Sequence, residues 1–225
     1  MLTTTLRYLT THWAYVGQLT VEHIRIVLLA NGLAVVIGLA LGIFISKRGR
    51  EGLAELVLYT AGILLTVPSL ALYGILMAVL KALGLVSIGL VPVVVALTLY
   101  GLLPILRNTT TSLRGIDPAV IEAGRGMGMT EGQILWRVQI PLSVPVVMAG
   151  LRQAVVMNVG IAAIGAYIGA GGLGQLIFRG IANTRPDLVL AGAICVSALA
   201  ITLDLMLGAV ERLSTPRGIR KGARR

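Results

Sequence analysis

Uncharged apolar runs alternate along this chain with short basic connectors, and the runs have the length of a bilayer crossing. About 20 residues of α-helix, at ~1.5 Å per residue, cover ~30 Å of hydrocarbon. Positions 27–46 hold no charged residue, and positions 56–106 are interrupted only by Lys81. As one helix the second run would be about 75 Å long, so it reads as two crossings that turn near Lys81 and Gly84. Positions 139–168 carry a single charge, Arg152, and positions 188–210 carry Asp204. The pattern predicts an all-α membrane protein with five transmembrane helices. Pro68, Pro92, Pro104 and Pro145 are expected to kink or locally open spans 2, 3 and 4. Gly38 and Gly42, four apart in span 1, read as a close-packing pair. Ahead of span 1, Leu2, Leu6, Leu9, Trp13 and Val16 lie three and four apart, one apolar helix face. They predict an amphipathic interfacial segment over 1–21. Arg7 and His12 interrupt any signal-peptide core.

Composition excludes the soluble alternatives. Hydrophobic residues make up 56% of the 225, charged residues 12%, and mean hydropathy is +0.92. A soluble domain is about one quarter charged, so this chain has too little polar surface for a water-soluble globule. The single cysteine, Cys195, rules out an intrachain disulfide. The net charge of +10 first invites a nucleic-acid reading, but the placement of the bases gives a better one. Lys47, Arg48 and Arg50 follow span 1, and Arg107, Arg114, Arg125 and Arg137 separate spans 3 and 4. Arg212, Arg217, Arg220, Lys221, Arg224 and Arg225 follow span 5, so thirteen of nineteen bases share one side. By the positive-inside rule that side is cytoplasmic, the N-terminus is outside and the C-terminus inside. The tail over 206–225 then meets anionic lipid rather than nucleic acid.

The connector 107–137 is too patterned for a plain loop. Asp117 before Pro118 is an N-cap followed by proline at the first helical position, which predicts a short helix over 118–127. Gly124 and Gly126 make it marginal, since each costs roughly 1 kcal/mol in a helix interior and helices this short barely form alone. Thr130 with Gln133 has the capping-box spacing and starts a second helix leading through Trp136 and Pro141 into span 4. A marginal helix rich in small residues on the cytoplasmic face reads either as a docking element or as a helix resting on lipid headgroups.

Glu122-Ala123-Gly124, then Gly128, then Val138-Gln139-Ile140-Pro141 resembles the loop signature of binding-protein-dependent ABC importer permeases. Gly replaces the signature's second Ala, and Val and Ile replace Ile and Leu. The resemblance spans roughly 22–205. The stretches from Gly115 to Met129, from Ile168 to Gly174 and from Thr66 to Leu72 are similar to the osmoprotectant branch, whose members carry glycine betaine, carnitine and choline. The resemblance implies a five-helix type I permease core whose coupling loop, at Asp117, Glu122, Ala123, Gly124, Gly128 and Pro141, meets a cytoplasmic ATPase through its first helix, where Glu122 to Gly128 are the matching positions. It also implies a second permease subunit, an extracytoplasmic substrate-binding protein, a prokaryotic inner membrane, and ATP with Mg bound by the partner ATPase and no cofactor in this chain.

Three features remain as candidate pathway or gate residues. Gly169, Gly171, Gly172 and Gly174 spell G-x-G-x-x-G, but a dinucleotide site needs that pattern between a strand and a helix. Here it joins two apolar helices on the outer side, so it reads as a packing turn or, by the resemblance, a gate. Arg152 inside a span marks a cavity or a partner, and Asn158 is expected to share that cavity; Asp204 reads as interfacial or paired. Aromatic faces hold quaternary amines best, yet of ten aromatics only Tyr59, Tyr73, Tyr100 and Tyr167 fall in spans, and they are scattered. Substrate choice is therefore expected to sit mainly in the separate binding protein. A phosphate-loop lysine motif, H-E-x-x-H and G-x-S-x-G are all absent from the sequence, so ATP hydrolysis is assigned to another chain.

Overall fold

The structure, a computed structural model, describes residues 1–214; the basic tail beyond Ser214, with Arg217 to Arg225, lies outside the described residues. The described residues form helices and turns with no strand. Four helices are long and apolar enough to cross a membrane, and a bent helix pair brings the number of candidate spans to five.

Two N-terminal helices open the chain: α1 (Leu2–Thr11) and α2 (Trp13–Ser46). The amphipathic segment is thus split rather than continuous over 1–21. Positions 13–21 extend span 1, because Leu19, His23, Ile26 and Ala30 repeat at steps of four, three and four and keep one buried face going. Only α1 stands apart, and Thr5 ties it to the start of the last helix by donating from Oγ1 to the Asp187 carbonyl at 3.2 Å.

The second candidate span is broken into a bent helix pair. Helices α3 (Glu51–Thr66) and α4 (Ser69–Ala82) meet at 105° across Val67 and Pro68. Proline drives the residue before it out of the helical region, and Val67 is extended, with φ −69° and ψ 126°. The Tyr100 hydroxyl donates to the Val67 carbonyl that the break exposes, at 2.7 Å. By contrast α5 (Leu90–Arg114) runs unbroken through Pro104.

Three helices lie at the core. Gly38 and Gly42 let α2 settle on α5: a Cβ on Gly38 would lie 2.7 Å from Ile105 Cγ2, and one on Gly42 2.8 Å from Thr109 Cβ. The third is α8 (Ile140–Gly165), where Gly150 abuts the Pro104 carbonyl and Asn108 of α5. It grows directly out of α7 (Glu131–Ile134) through a π-helical segment, Leu135–Gln139. Pro141 has no N–H to give the ladder and its ring crowds the carbonyl four residues back. The wider π turn just before it absorbs both defects. Helix α6 (Pro118–Gly126) sits in the connector before α7. After a 3₁₀ turn at Ala166–Ile168 come α9 (Gly174–Ala182), a helix the span pattern did not reveal, and α10 (Pro186–Ser214).

Candidate functional site

The loop between α5 and α8 is built as a braced unit. Arg114 donates to the Ile45 carbonyl at 2.8 Å, pinning the end of α5 to the end of α2. Asp117 Oδ1 accepts from the Ala119 amide at 2.8 Å, with Pro118 next in line, so the expected N-cap forms. The helix closes in a Schellman motif. The Gly128 amide donates to the Arg125 carbonyl at 2.9 Å and the Met129 amide to the Gly124 carbonyl at 3.1 Å. That motif needs a left-handed residue at its C′ position, and Gly128 supplies it with φ +78°. The capping box also forms: Thr130 N donates to Gln133 Oε1 at 2.9 Å, and Gln133 N to Thr130 Oγ1 at 3.3 Å.

What lies behind α6 was not legible from spacing. Gly124 is buried, and a Cβ there would come 3.2 Å from Ile134 Cγ1, so α6 rests its glycine face on α7. Arg125 Nε bonds Glu131 Oε1 at 2.7 Å and clamps the two helices. The hydrogen bond first and the carboxylate's charge second raise the Arg125 guanidinium further above its ordinary range. Glu122 and Ala123 are exposed, as are Val120 and Met127, the latter 75%. Positions 120, 123 and 127 share one helix face, so α6 turns a small apolar face outward. Pro141, half-buried, enters α8 at its second position, on the far side of the π segment.

At the opposite end the glycine run makes a clasped turn. Gly169, Gly171 and Gly172 are all left-handed, a conformation glycine adopts without cost. The Gly172 amide donates to Glu22 Oε2 at 3.0 Å. His23 is fully buried, its Nε2 3.0 Å from the Val159 carbonyl and its Nδ1 against Gly172. The Gly89 amide donates to the Ile168 carbonyl at 3.0 Å, and Gly174 lies flat on the Ala163 carbonyl. Glu22 and His23 were missed by sequence reasoning. Their signal was the buried-face spacing that His23 shares with Leu19 and Ile26. Beside the turn, exposed Tyr167 meets Phe178 with ring centroids 5.4 Å apart and planes tilted by 49°. G-x-G-x-x-G here joins helices and has no strand before it.

The two mid-span polar residues are not brought together, contrary to expectation. They are six residues apart, which puts them about 120° apart around the helix and ~9 Å apart along it. Arg152 faces α10, with Nε and an amino nitrogen on the two Asp204 oxygens at 2.8 and 2.9 Å, and with Glu211 at 2.9 Å. Gly208 leaves room for the guanidinium, which passes 3.4 Å from where its Cβ would be. Asn158 faces the other way and is fully buried; its amide donates to Asn31 Oδ1 and to the Leu97 carbonyl, both at 3.0 Å. It ties α8 to α2 and α5. Asn158→Leu removes the donor from both acceptors and is expected to cost about 1–2 kcal/mol, read as a lower thermal midpoint of the purified protein in detergent.

Of the in-span tyrosines, Tyr73 and Tyr100 are buried and donate to the Ile161 and Val67 carbonyls, while Tyr59 and Tyr167 are exposed. No three His, Cys, Asp or Glu side chains among the described residues are grouped to hold a metal ion.

Comparison with known proteins matches this architecture. Residues 34–215 match the family described as binding-protein-dependent transport system inner membrane component. The chain is 45% identical over 216 residues to the osmoprotectant import permease protein OsmW of Salmonella typhimurium, covering 96% of this chain and 99% of the relative. It is 43% identical to the carnitine transport permease protein OpuCB of Listeria monocytogenes (90% and 89% covered) and 38% to the choline transport system permease protein OpuBB of Bacillus subtilis (90% and 89%). Among solved structures, a chain of the MetNI methionine ABC transporter in an inward-facing conformation superposes with TM-score 0.75 at 25% identity, over 87% of this chain and 94% of that one. Braced loop, bundle and relatives agree: the chain belongs to the inner membrane components of binding-protein-dependent transport systems, as an ABC importer permease rather than an enzyme.

Proposed function

We propose that this chain carries quaternary-ammonium osmoprotectants of the glycine betaine, carnitine and choline type across a prokaryotic inner membrane, as one of two permease subunits driven by a separate ATPase pair that binds ATP and Mg. The single observation that carries the substrate class is the 45% identity, end to end, to an osmoprotectant import permease. Five spans, with the N-terminus outside and the loop in the cytoplasm, follow from the bias of the bases. The first two basic connectors support this by sharing one end of the bundle, where Arg114 at the end of α5 bonds the Ile45 carbonyl at the end of α2. In this reading α6 docks in the ATPase through its outward apolar face, and closure of the ATPase pair moves α6, α7 and α8 as one braced lever between inward- and outward-open states. Tyr167 and the turn from Gly169 to Gly174 stand at the outer mouth, where a binding protein delivers its load. Arg152 and Asn158 hold the moving helix to α10 and to the core.

Uptake of radiolabelled glycine betaine, carnitine and choline tests this, in cells that express the chain with its ATPase and binding protein. Vanadate-sensitive uptake of at least one of them is expected. Uptake of methionine alone would overturn the substrate class, and vanadate-insensitive uptake driven by an ion gradient would overturn the importer reading. Glu122→Lys reverses an exposed charge on the docking helix and is expected to lower ATPase co-purification by about ten-fold. Unchanged co-purification would remove Glu122 from the contact.

A further inference from the structure

A cleft of about 470 Å³ opens at the loop end, between the turn joining α2 to α3, the end of α5 and the rear of α6 and α7. Four bases line it: Lys47, Arg48, Arg114 and Arg125. Two acids, Glu51 and Glu131, lie among them. Glu131 is already held by Arg125 Nε, and Glu51 accepts from the Gly49 amide at 3.1 Å. Lys47 and Arg48 form no hydrogen bond or close ion pair among the described residues, though the Arg48 charge also acts on Glu131; with four bases to two acids the lining keeps a net positive charge of two. The third base of that turn is spent elsewhere: Arg50 donates to the Phe44 carbonyl at 2.9 Å and stacks over the Phe44 ring.

The lining is also amphiphilic. Ile116, Ile121 and Leu135 give the cleft an apolar wall beside the bases. The cleft sits where the apolar run of α2 ends at Ser46, the level at which headgroups meet a span. Its volume falls in the range of small-ligand pockets, ~300–1,000 Å³. Arginine forks suit the oxygens of a phosphate better than a single charge does, and basic pockets between spans at the cytoplasmic surface suit phosphate-bearing headgroups.

We propose that this cleft holds a phosphate group, either that of an anionic phospholipid headgroup or that of a soluble phosphate, between the α2–α3 turn and the loop helix. Because Ile121 and Arg125 of α6 form one wall, the occupant braces the loop against the end of α2. The site is independent of the solute carried.

The test uses the purified full-length chain, delipidated in detergent and titrated with dioleoylphosphatidylglycerol against a phosphatidylcholine background, with bound lipid read by native mass spectrometry. Lys47→Gln/Arg48→Gln is expected to weaken phosphatidylglycerol retention by about thirty-fold, the effect of two bases beside an anionic surface. Arg107→Gln/Arg137→Gln removes the same charge from the same end outside the cleft and is expected to leave retention within about two-fold. Lys47→Arg/Arg48→Lys keeps the charge and restores retention, which separates binding from folding. Millimolar inorganic phosphate, followed by ³¹P line broadening, is the second arm. Broadening that Lys47→Gln/Arg48→Gln abolishes, with no selective lipid retention, assigns the soluble source. Equal lipid retention by the cleft and control pairs, with no phosphate broadening, overturns the proposal.

Discussion

Gly128→Trp abolishes substrate-stimulated ATP hydrolysis in the assembled transporter while the chain still inserts. Gly128 lies outside the candidate spans, so insertion does not depend on it. Two effects add at this position. Its φ of +78° costs an L-residue roughly 1–2 kcal/mol, which loosens the Schellman closure of a helix already weakened by Gly124 and Gly126. A Cβ there would meet nothing within 4 Å, so a side chain has open space at its base. In the proposed docking arrangement an indole beside exposed Met127 would occupy space that the ATPase needs. Stimulated hydrolysis is expected to fall by at least about thirty-fold, the effect of losing ~2 kcal/mol at an interface hot spot. Gly128→Asn tolerates the left-handed backbone and is expected to keep most of the activity. Stimulation that persists in the Trp variant would show that α6 is not the docking element.

The largest effect on folding is expected at the other end, for Gly174→Val. Gly174 is buried as the first residue of α9, and a Cβ there would overlap the Ala163 carbonyl of α8. A backbone carbonyl cannot swing aside as a side-chain tip can, so the helix or the turn must move. Overpacking of this kind costs about 3 kcal/mol, enough to remove most detergent-extractable folded protein in a size-exclusion assay. Gly169→Ala is the contrast. It shares the left-handed backbone of the turn but has open space around it, so about 1 kcal/mol of strain is all that is expected. Comparable losses for the two variants would contradict the packing described for α9.

Local signals in this chain were those that neighbours in sequence satisfy among themselves. The N-cap at Asp117, the capping box of Thr130 and Gln133, and the break at Pro68 each involve atoms a few residues apart, and each forms at its expected position. The bracing of the loop was not legible, because Arg125 with Glu131 and Gly124 with Ile134 depend on how two short helices fold back on each other. Arg152 shows the same divide. An arginine in a span demands a partner, but its partners lie 52 and 59 residues away, and only the packing of α8 on α10 selects them. Helix α9 escaped notice since a nine-residue helix beside a glycine run is too short to stand out by periodicity.

The sequence alone determined that this is a polytopic membrane protein with a small helix poised in its longest connector. Those properties follow from run length and from caps that close within a turn of helix. Tertiary structure decided which polar side chains meet within the bundle. Asn158 went to Asn31 and Leu97, Arg152 to Asp204 and Glu211, and the glycine turn to Glu22 and His23. In an apolar interior each polar group must find a partner, and the nearest available one is fixed by helix rotation and contact across tens of residues, not by spacing along the chain.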